Sequence, residues 1–467
     1  MRWVCALVLL APQAAPQDEY KDRLTKISRN SAAKHYQIGD YLTTAQMHQW
    51  AREQYYKTIE FEPDHEGARK RLGYKKGDSG WESDASIQQQ FANKKKDAEA
   101  EKARKSFQER MDSAGRDLSR QWVDLAAWCK AQKLQAEAEG AYKKALEYDP
   151  AHAGARKELG FEKDAKGGAW LSKSERELRK EMRDGIGKAP QGAAASSESA
   201  VEKALSVKTK KREGGHFMVE SPHLTDPQLT GLLQHAEHAY AMFHKIFGAT
   251  DLFGDRKMVQ LVLNTKAQHE AYVDAFHKGD AAHKELSKKS QGSSGFPLCE
   301  QVQENRPLPS VEDMVVHTTA QILSNMYSGG GNHWLHEGTS YHFTRLMKGT
   351  AMTYCVDLAG TGPKSDGKNY QDPEHWPVVC KVWVRDGKDP EINAILKCDN
   401  LAELSGAETV KAWSIVDFLI TDHKEKLVGL CAKLKAETPV EEAFRSVFNW
   451  SLGDLDTRWK AYVKVSY

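Results

Sequence analysis

The sequence predicts an α+β protein in two parts: an N-terminal α-helical region built of hairpins, and a C-terminal, mostly helical domain with a small sheet. Three observations predict it. Two segments of the first half resemble each other and end their helices alike, at Glu62-Pro63 and Asp149-Pro150. A run of small residues, Gly185–Ser206, then interrupts the helical pattern. Beyond it, apolar runs and amphipathic stretches alternate as strand, helix, strand, helix.

The two similar segments read YKTIEFEPDHEGARKRLGY (Tyr56–Tyr74) and YKKALEYDPAHAGARKELGF (Tyr142–Phe161), with Glu60 and Glu147 lying 87 residues apart. Ala68 and Ala155, and Leu72-Gly73 and Leu159-Gly160, keep that register, and Trp81 and Trp170 follow. Upstream, Tyr41–Ile59 and Trp128–Ala145 carry small and apolar residues at helical spacing. Each unit therefore reads as a helix, a break, a second helix and a stop at an acidic residue and proline. The pattern resembles tetratricopeptide-type repeats, whose units bury their apolar faces by stacking on neighbours, although the period of about 34 residues is absent. That resemblance implies an interaction surface for a protein or peptide, or a scaffold that packs on its own second half.

In the second half, His216–Glu220 and Lys257–Leu263 read as strands. Asp226–Phe247 and about Ala267–Phe276 read as amphipathic helices. Ser310 and Asp313 mark the start of a further helix, running to about Met326. It holds His317 and Gln321, four residues apart and so on one face. After the break Ser328–Gly331, Asn332 is a suitable cap for a helix over Trp334–Met347, where Glu337 shares a face with Trp334 and Tyr341. Ala412–Ile420 reads as a buried helix. Thr438-Pro439-Val440-Glu441 opens another by a cap, a proline at the first helical position and a capping-box glutamate, and Ser451-Leu452-Gly453-Asp454 opens the last.

A helix bearing a histidine motif, followed by a second bearing Trp334-Leu335-His336-Glu337-Gly338, resembles the peptidase MA (gluzincin) superfamily. It is most similar to a secreted bacterial branch often fused to tetratricopeptide-like repeats. The ending Arg458-Trp459-Lys460-Ala461-Tyr462-Val463 is similar to how that branch closes, so the resemblance covers about His216–Val463. In that family the motif HExxH and a downstream glutamate bind zinc, and the motif glutamate activates the metal-bound water.

Here the motif reads His317-Thr318-Thr319-Ala320-Gln321. His317 and Glu337 match two metal ligands and stand as vestigial ones. Thr318 replaces the general-base glutamate, and Gln321 replaces the second histidine. A threonine hydroxyl does not take a proton from zinc-bound water near neutral pH, and an amide is a poor substitute for the His, Cys and carboxylate ligands zinc prefers. No catalytic residue is therefore expected and no cofactor. The alternative is an active metallopeptidase whose zinc site is rebuilt from His317, His333 and Glu337. Glu304, Glu312 and Asp313 lie before the motif or on the wrong part of its helix to serve as base. His336 reads as a packing residue and His375 as a structural one.

Other signatures are missing: the sequence has no nucleophile elbow, phosphate-binding loop or dinucleotide fingerprint. With 67 Lys+Arg against 65 Asp+Glu, the net charge of +2 gives no pull toward nucleic acid. Arg2 followed by the apolar run Trp3–Ala11 resembles a short secretory signal peptide, which places the chain outside the cell or in the periplasm. The run is shorter than the ~20 residues a transmembrane helix needs. Export would permit disulfides among Cys129, Cys299, Cys355, Cys380, Cys398 and Cys431, without choosing a pair. The expected organisation is a signal peptide over 1–16, the helical hairpins over 17–184, a linker over 185–208 and the peptidase-like domain over 209–467.

Overall fold

The structure is a computed structural model that describes residues 16–77, 80–83, 97–163, 170–352 and 367–467. Residues 1–15 of the expected signal peptide, and Cys355, lie outside the described residues. The chain is mainly helical with a small mixed sheet, an α+β fold. It divides into two compact units, Met1–Glu162 and Lys163–Tyr467.

The first unit runs α1 (Pro16–Thr44), α2 (His48–Phe61), α3 (Glu66–Arg71), β1 (Tyr74–Gly77), β2 (Gly80–Ser83), α4 (Asp97–Ala131), α5 (Gln135–Tyr148) and α6 (Ala153–Glu158). The 87-residue register holds for element bounds as well as letters: α5 and α6 repeat α2 and α3 residue for residue. In the long helices the buried positions repeat too. Ser31, Ala32, His35, Ile38 and Leu42 of α1 correspond to Leu118, Ser119, Trp122, Leu125 and Cys129 of α4.

The shared letters after each proline build a tight corner. His65 Nδ1 accepts from Ala68 N at 3.2 Å and His152 Nδ1 from Ala155 N at 3.1 Å, so each histidine caps a short helix. Arg69 Nε donates to Pro63 O and Arg156 Nε to Pro150 O, and each guanidinium lies over the ring of Tyr74 or Phe161. The repeated residues are thus consumed by the fold of the corner.

The two copies pack reciprocally. Asn30 meets Gln121 and Lys34 meets Asp117, positions that exchange under the 87-residue shift. A contact made from copy one to copy two is made back again, which is the signature of a twofold relation. Stacked tetratricopeptide hairpins instead repeat one contact in the same direction along the array. The expected stacking is replaced by a face-to-face pair.

Two short strands, β3 (Glu162–Lys163) and β4 (Trp170–Leu171), follow α6. In the second unit, β5 (Ala193–Ala195), β6 (Lys210–Glu213), β7 (Phe217–Ser221), β8 (Met258–Leu263), β9 (Gly292–Ser293) and β10 (Leu298–Val302) form one sheet of order β5-β6-β7-β8-β10-β9. β8 runs parallel to both β7 and β10, while the outer pairings are antiparallel. The near-continuous apolar letters of β8 fit a central strand covered on both faces. α7 (Lys173–Asp184), α8 (Ala200–Leu205) and α9 (Asp226–Phe247) precede it or cross over to it. α10 (Lys266–Phe276) and α11 (Ala281–Lys289) lead to the edge. The remaining helices are α12 (Leu308–Ser328), α13 (His333–Lys348), α14 (Trp376–Asp386), α15 (Ile392–Leu396), α16 (Gly406–Lys435), α17 (Val440–Phe448) and α18 (Leu452–Ser466).

The expected linker is not one. Its alanines form the edge strand β5 against β6. Ser199 and Glu202 make a capping box that starts α8, and Val201 is buried with Leu261, Leu263 and Val273. Upstream of it, Met182 of α7 belongs to the second unit's main core. Small residues here serve close strand pairing rather than flexibility, and the division falls at Glu162, about a helix and a strand earlier than expected. Three caps also differ. The N-cap of α17 is Pro439, with no side-chain bond from Thr438. α12 starts at Pro307, leaving Ser310 inside the helix as an acceptor from Arg306. Asn332 precedes α13 without capping it, donating instead to the Ser328 carbonyl.

The core that holds the site is made by Val315, Val316, Ala320 and Leu323 of α12, Trp334, Leu335 and Phe343 of α13, and Trp413, Ile415 and Val416 of α16, all fully buried. Each such side chain contributes about 1.5–3 kcal/mol of transfer free energy. At Gly338 the crossing of α13 and α16 is so close that a Cβ would lie 2.6 Å from Val416 Cγ2 and 2.7 Å from the Ala412 carbonyl oxygen.

Candidate functional site

α12 and α13 form an antiparallel pair joined by Gly329–Gly331, in which Gly329 (φ 80°) and Gly331 (φ 81°) take left-handed backbone. His336 fastens the joint: its Nε2 lies 3.2 Å from Ser328 Oγ and 3.1 Å from the Gly329 carbonyl oxygen. Burial, aided by the neighbouring His333, holds the His336 imidazole down to about 4, so it is neutral and serves as a donor to that carbonyl.

The helix pair brings His317, Gln321 and Glu337 together. His317 and Glu337 are fully buried, with His317 Nε2 3.6 Å from Glu337 Oε2. Tyr341, one turn beyond Glu337, sets its ring edge-on to the His317 imidazole at 4.8 Å. The Gln321 amide is held at both ends. Its Oε1 accepts from Ser294 Oγ at 2.9 Å, and its Nε2 donates to Glu337 Oε1 at 2.5 Å. The amide hydrogens thus point into the carboxylate, where a metal ion would need a lone pair aimed at itself. Among the described residues, none donates a hydrogen bond to Glu337 Oε2.

Thr318 faces the sheet. Its Oγ1 donates to the Met314 carbonyl at 2.9 Å, and Gln260 of β8 reaches it and Thr319 at 3.4 and 3.3 Å. The other acids near the motif are engaged elsewhere. Glu304 accepts from Lys266 N, Glu312 pairs with Lys348, and Asp313 accepts from Thr350. His333 does not turn toward His317: its Nε2 meets the Asp399 carbonyl oxygen at 3.1 Å. The rebuilt ligand set of His317, His333 and Glu337 is therefore not assembled, because the first residue of α13 points to the α15–α16 loop. His375 is an exposed loop residue paired with Asp372.

Zinc needs three protein donors in a catalytic site and four in a structural one. The residues present supply two, His317 and Glu337, with an amide donor in the third place; they do not fit the ion. Among the described residues, no group of three or more His, Cys, Asp or Glu side chains is placed to hold a metal.

Two buried acid–base pairs were not legible in the sequence. His269 Nδ1 meets both carboxylate oxygens of Glu300, at 3.0 and 2.9 Å, and its Nε2 meets the Ser287 carbonyl. On the far side of α13, Asp417 accepts from the hydroxyls of Tyr462 and Tyr467, each at 2.8 Å, and His342 Nδ1 stands 3.2 Å away. Burial alone would raise the Asp417 carboxyl, but His342, Arg345 and the Tyr467 hydroxyl outweigh it and hold it at about 2. This network ties α18 to α16 and α13. Spacing gave no signal for it, since its members lie far apart in the chain.

Among the described residues, Cys129, Cys299, Cys380 and Cys431 are buried free thiols, and Cys398 Sγ contacts the Asn400 carbonyl. No described helix is long and apolar enough to cross a membrane. No known protein family and no curated protein matches the chain.

Proposed function

We propose that this is an exported, non-catalytic protein whose second unit is a zinc-peptidase-like domain, acting in protein or peptide binding or as a scaffold. The observation that carries the reading is the hydrogen bond from Gln321 to Glu337. It puts an N–H donor in the second histidine's place and engages Glu337 Oε1 without an ion. Thr318, bound back to its own helix, offers no proton acceptor of the needed strength. The near-zero net charge favours a protein or peptide ligand over nucleic acid. The competing reading, a metallopeptidase with a rearranged zinc site, draws support from the 3.6 Å between His317 Nε2 and Glu337 Oε2, a spacing two ligands of one ion can adopt.

The test is elemental analysis of protein purified without chelators, together with turnover of casein and peptide substrates. Substoichiometric metal and no cleavage are expected. Near-stoichiometric zinc with chelator-sensitive cleavage overturns the reading in favour of the peptidase.

A further inference from the structure

The reciprocity of the first unit extends to further pairs across its interface. Arg23 lies 4.7 Å over Trp128, and Arg110 lies 4.1 Å over Tyr41. His35 meets Tyr148 at 5.7 Å between rings, and Trp122 meets Phe61 at 6.0 Å. In each case the second contact is the first one moved by 87 residues with the copies exchanged. At the centre, four charges close a ring of alternating sign. Lys57 meets Glu60 at 2.9 Å and Glu147 at 3.4 Å, while Lys144 meets Glu60 at 2.6 Å and Glu147 at 3.1 Å. Burial opposes these charges, but their mutual attraction outweighs it, raising Lys57 and lowering Glu60 and Glu147.

The first copy is also incomplete alone. The N-terminal half of α4, through Ala103, Phe107, Met111 and Ala114, covers the apolar core of the first copy formed by Ile38, Leu42, Tyr55 and Leu72. The Trp50 and Phe107 rings meet there, tilted, at 5.1 Å between centroids. An interface whose two sides are the same surface is what a homodimer presents. Here a single chain supplies both sides. A second copy of the chain carries the same pair of surfaces, so it fits the interface as well as the chain's own half does.

We propose that this interface is a self-association surface: the first copy of the module in one chain pairs with the second copy in another, giving a module-exchanged dimer. Within one chain the covalent connection favours internal pairing through an effective concentration of order mM. Exchange therefore needs the pair to open, and is driven when internal pairing is weakened.

The central ring of charges allows a direct test on the full-length protein. In variant one, Lys57→Glu and Lys144→Glu leave four acids at the centre; in variant two, Glu60→Lys and Glu147→Lys leave four bases. Neither pairs well within itself, but the first copy of either complements the second copy of the other. Expected are monomers of each alone, and on co-refolding a heterodimer of twice 52.4 kDa by light scattering, at least tenfold more abundant than either homodimer. Adding Asn30→Cys to variant one and Gln121→Cys to variant two should give a disulfide between chains.

If the double variants fail to fold, Lys144→Glu alone and Glu60→Lys alone preserve the same complementarity with milder repulsion. A mixture of folded variants that stays monomeric overturns the proposal. So does failure of Asn30→Cys and Gln121→Cys, placed together in the otherwise native chain, to form an internal disulfide.

Discussion

Gln321 of α12 donates its amide hydrogen to Glu337 of α13 at 2.5 Å. The carboxylate is fully buried, so that bond replaces one it would otherwise make to water. Replacing Gln321 with Ala should cost the second unit about 1–3 kcal/mol, because a buried acceptor is left without its donor. Chemical denaturation followed by tryptophan fluorescence checks it. Glu337→Gln on top of Gln321→Ala should recover part of the loss, since a neutral amide is cheaper to leave buried than a charge.

Gln321→His should raise zinc affinity by placing an imidazole beside His317 and Glu337. Adding Thr318→Glu should lower stability, since Thr318 is buried against Gln260 of the sheet. Isothermal titration with zinc, before and after each change, separates the two effects. No gain from Gln321→His would count against the zinc-peptidase-like assignment itself.

Gly338→Ala should destabilise the protein by about 1–3 kcal/mol, the usual cost of overpacking. In an exposed helix the same change would stabilise by about 1 kcal/mol. The sign is decided by the Ala412 carbonyl and Val416, which leave no room for a Cβ. Thermal unfolding of the variant measures it.

Burial holds His35, His336 and His423 each down to about 4. Their folded-state values lie below the unfolded value of about 6.5, so the unfolded chain binds the extra protons. The stability tied to their neutral forms is therefore complete above pH ~6.5 and lost as pH falls toward 4. Denaturation midpoints at pH 7.5, 6 and 5 should fall progressively, and His35→Gln should flatten the slope for the first unit.

Burial pushes the Cys299, Cys380 and Cys431 thiols up to about 12. They should resist a thiol reagent at pH 8 in the native protein and react promptly in guanidinium chloride. Fast labelling of the native chain at these positions, located by mass spectrometry, would contradict the packing described.

Local physics made much of this protein legible from its letters. Asp226–Phe247 was read at its observed bounds because its start signals and apolar stripe are contained in consecutive residues. The same holds for the capping box that opens α18 at Ser451 and Asp454. The duplication showed because 87-residue identity is a property of the string, and helical spacing placed His317 and Gln321 on one face. Small residues misled at 185–208, where alanine suits either a loop or a tightly paired edge strand, and only the neighbour β6 decides.

Tertiary structure alone decided the rest. Which way His333 turns depends on the Asp399 carbonyl, 66 residues away. The donor that Glu337 receives depends on how α12 crosses α13. That the two copies face each other, rather than stack, depends on which helix faces meet. Helix periods and caps are set by neighbours in sequence, whereas a hydrogen bond between helices or a twofold pairing is set by packing. The sequence by itself determined the elements and the letters His317, Thr318 and Gln321 on one helix; the fold determined what each of them meets.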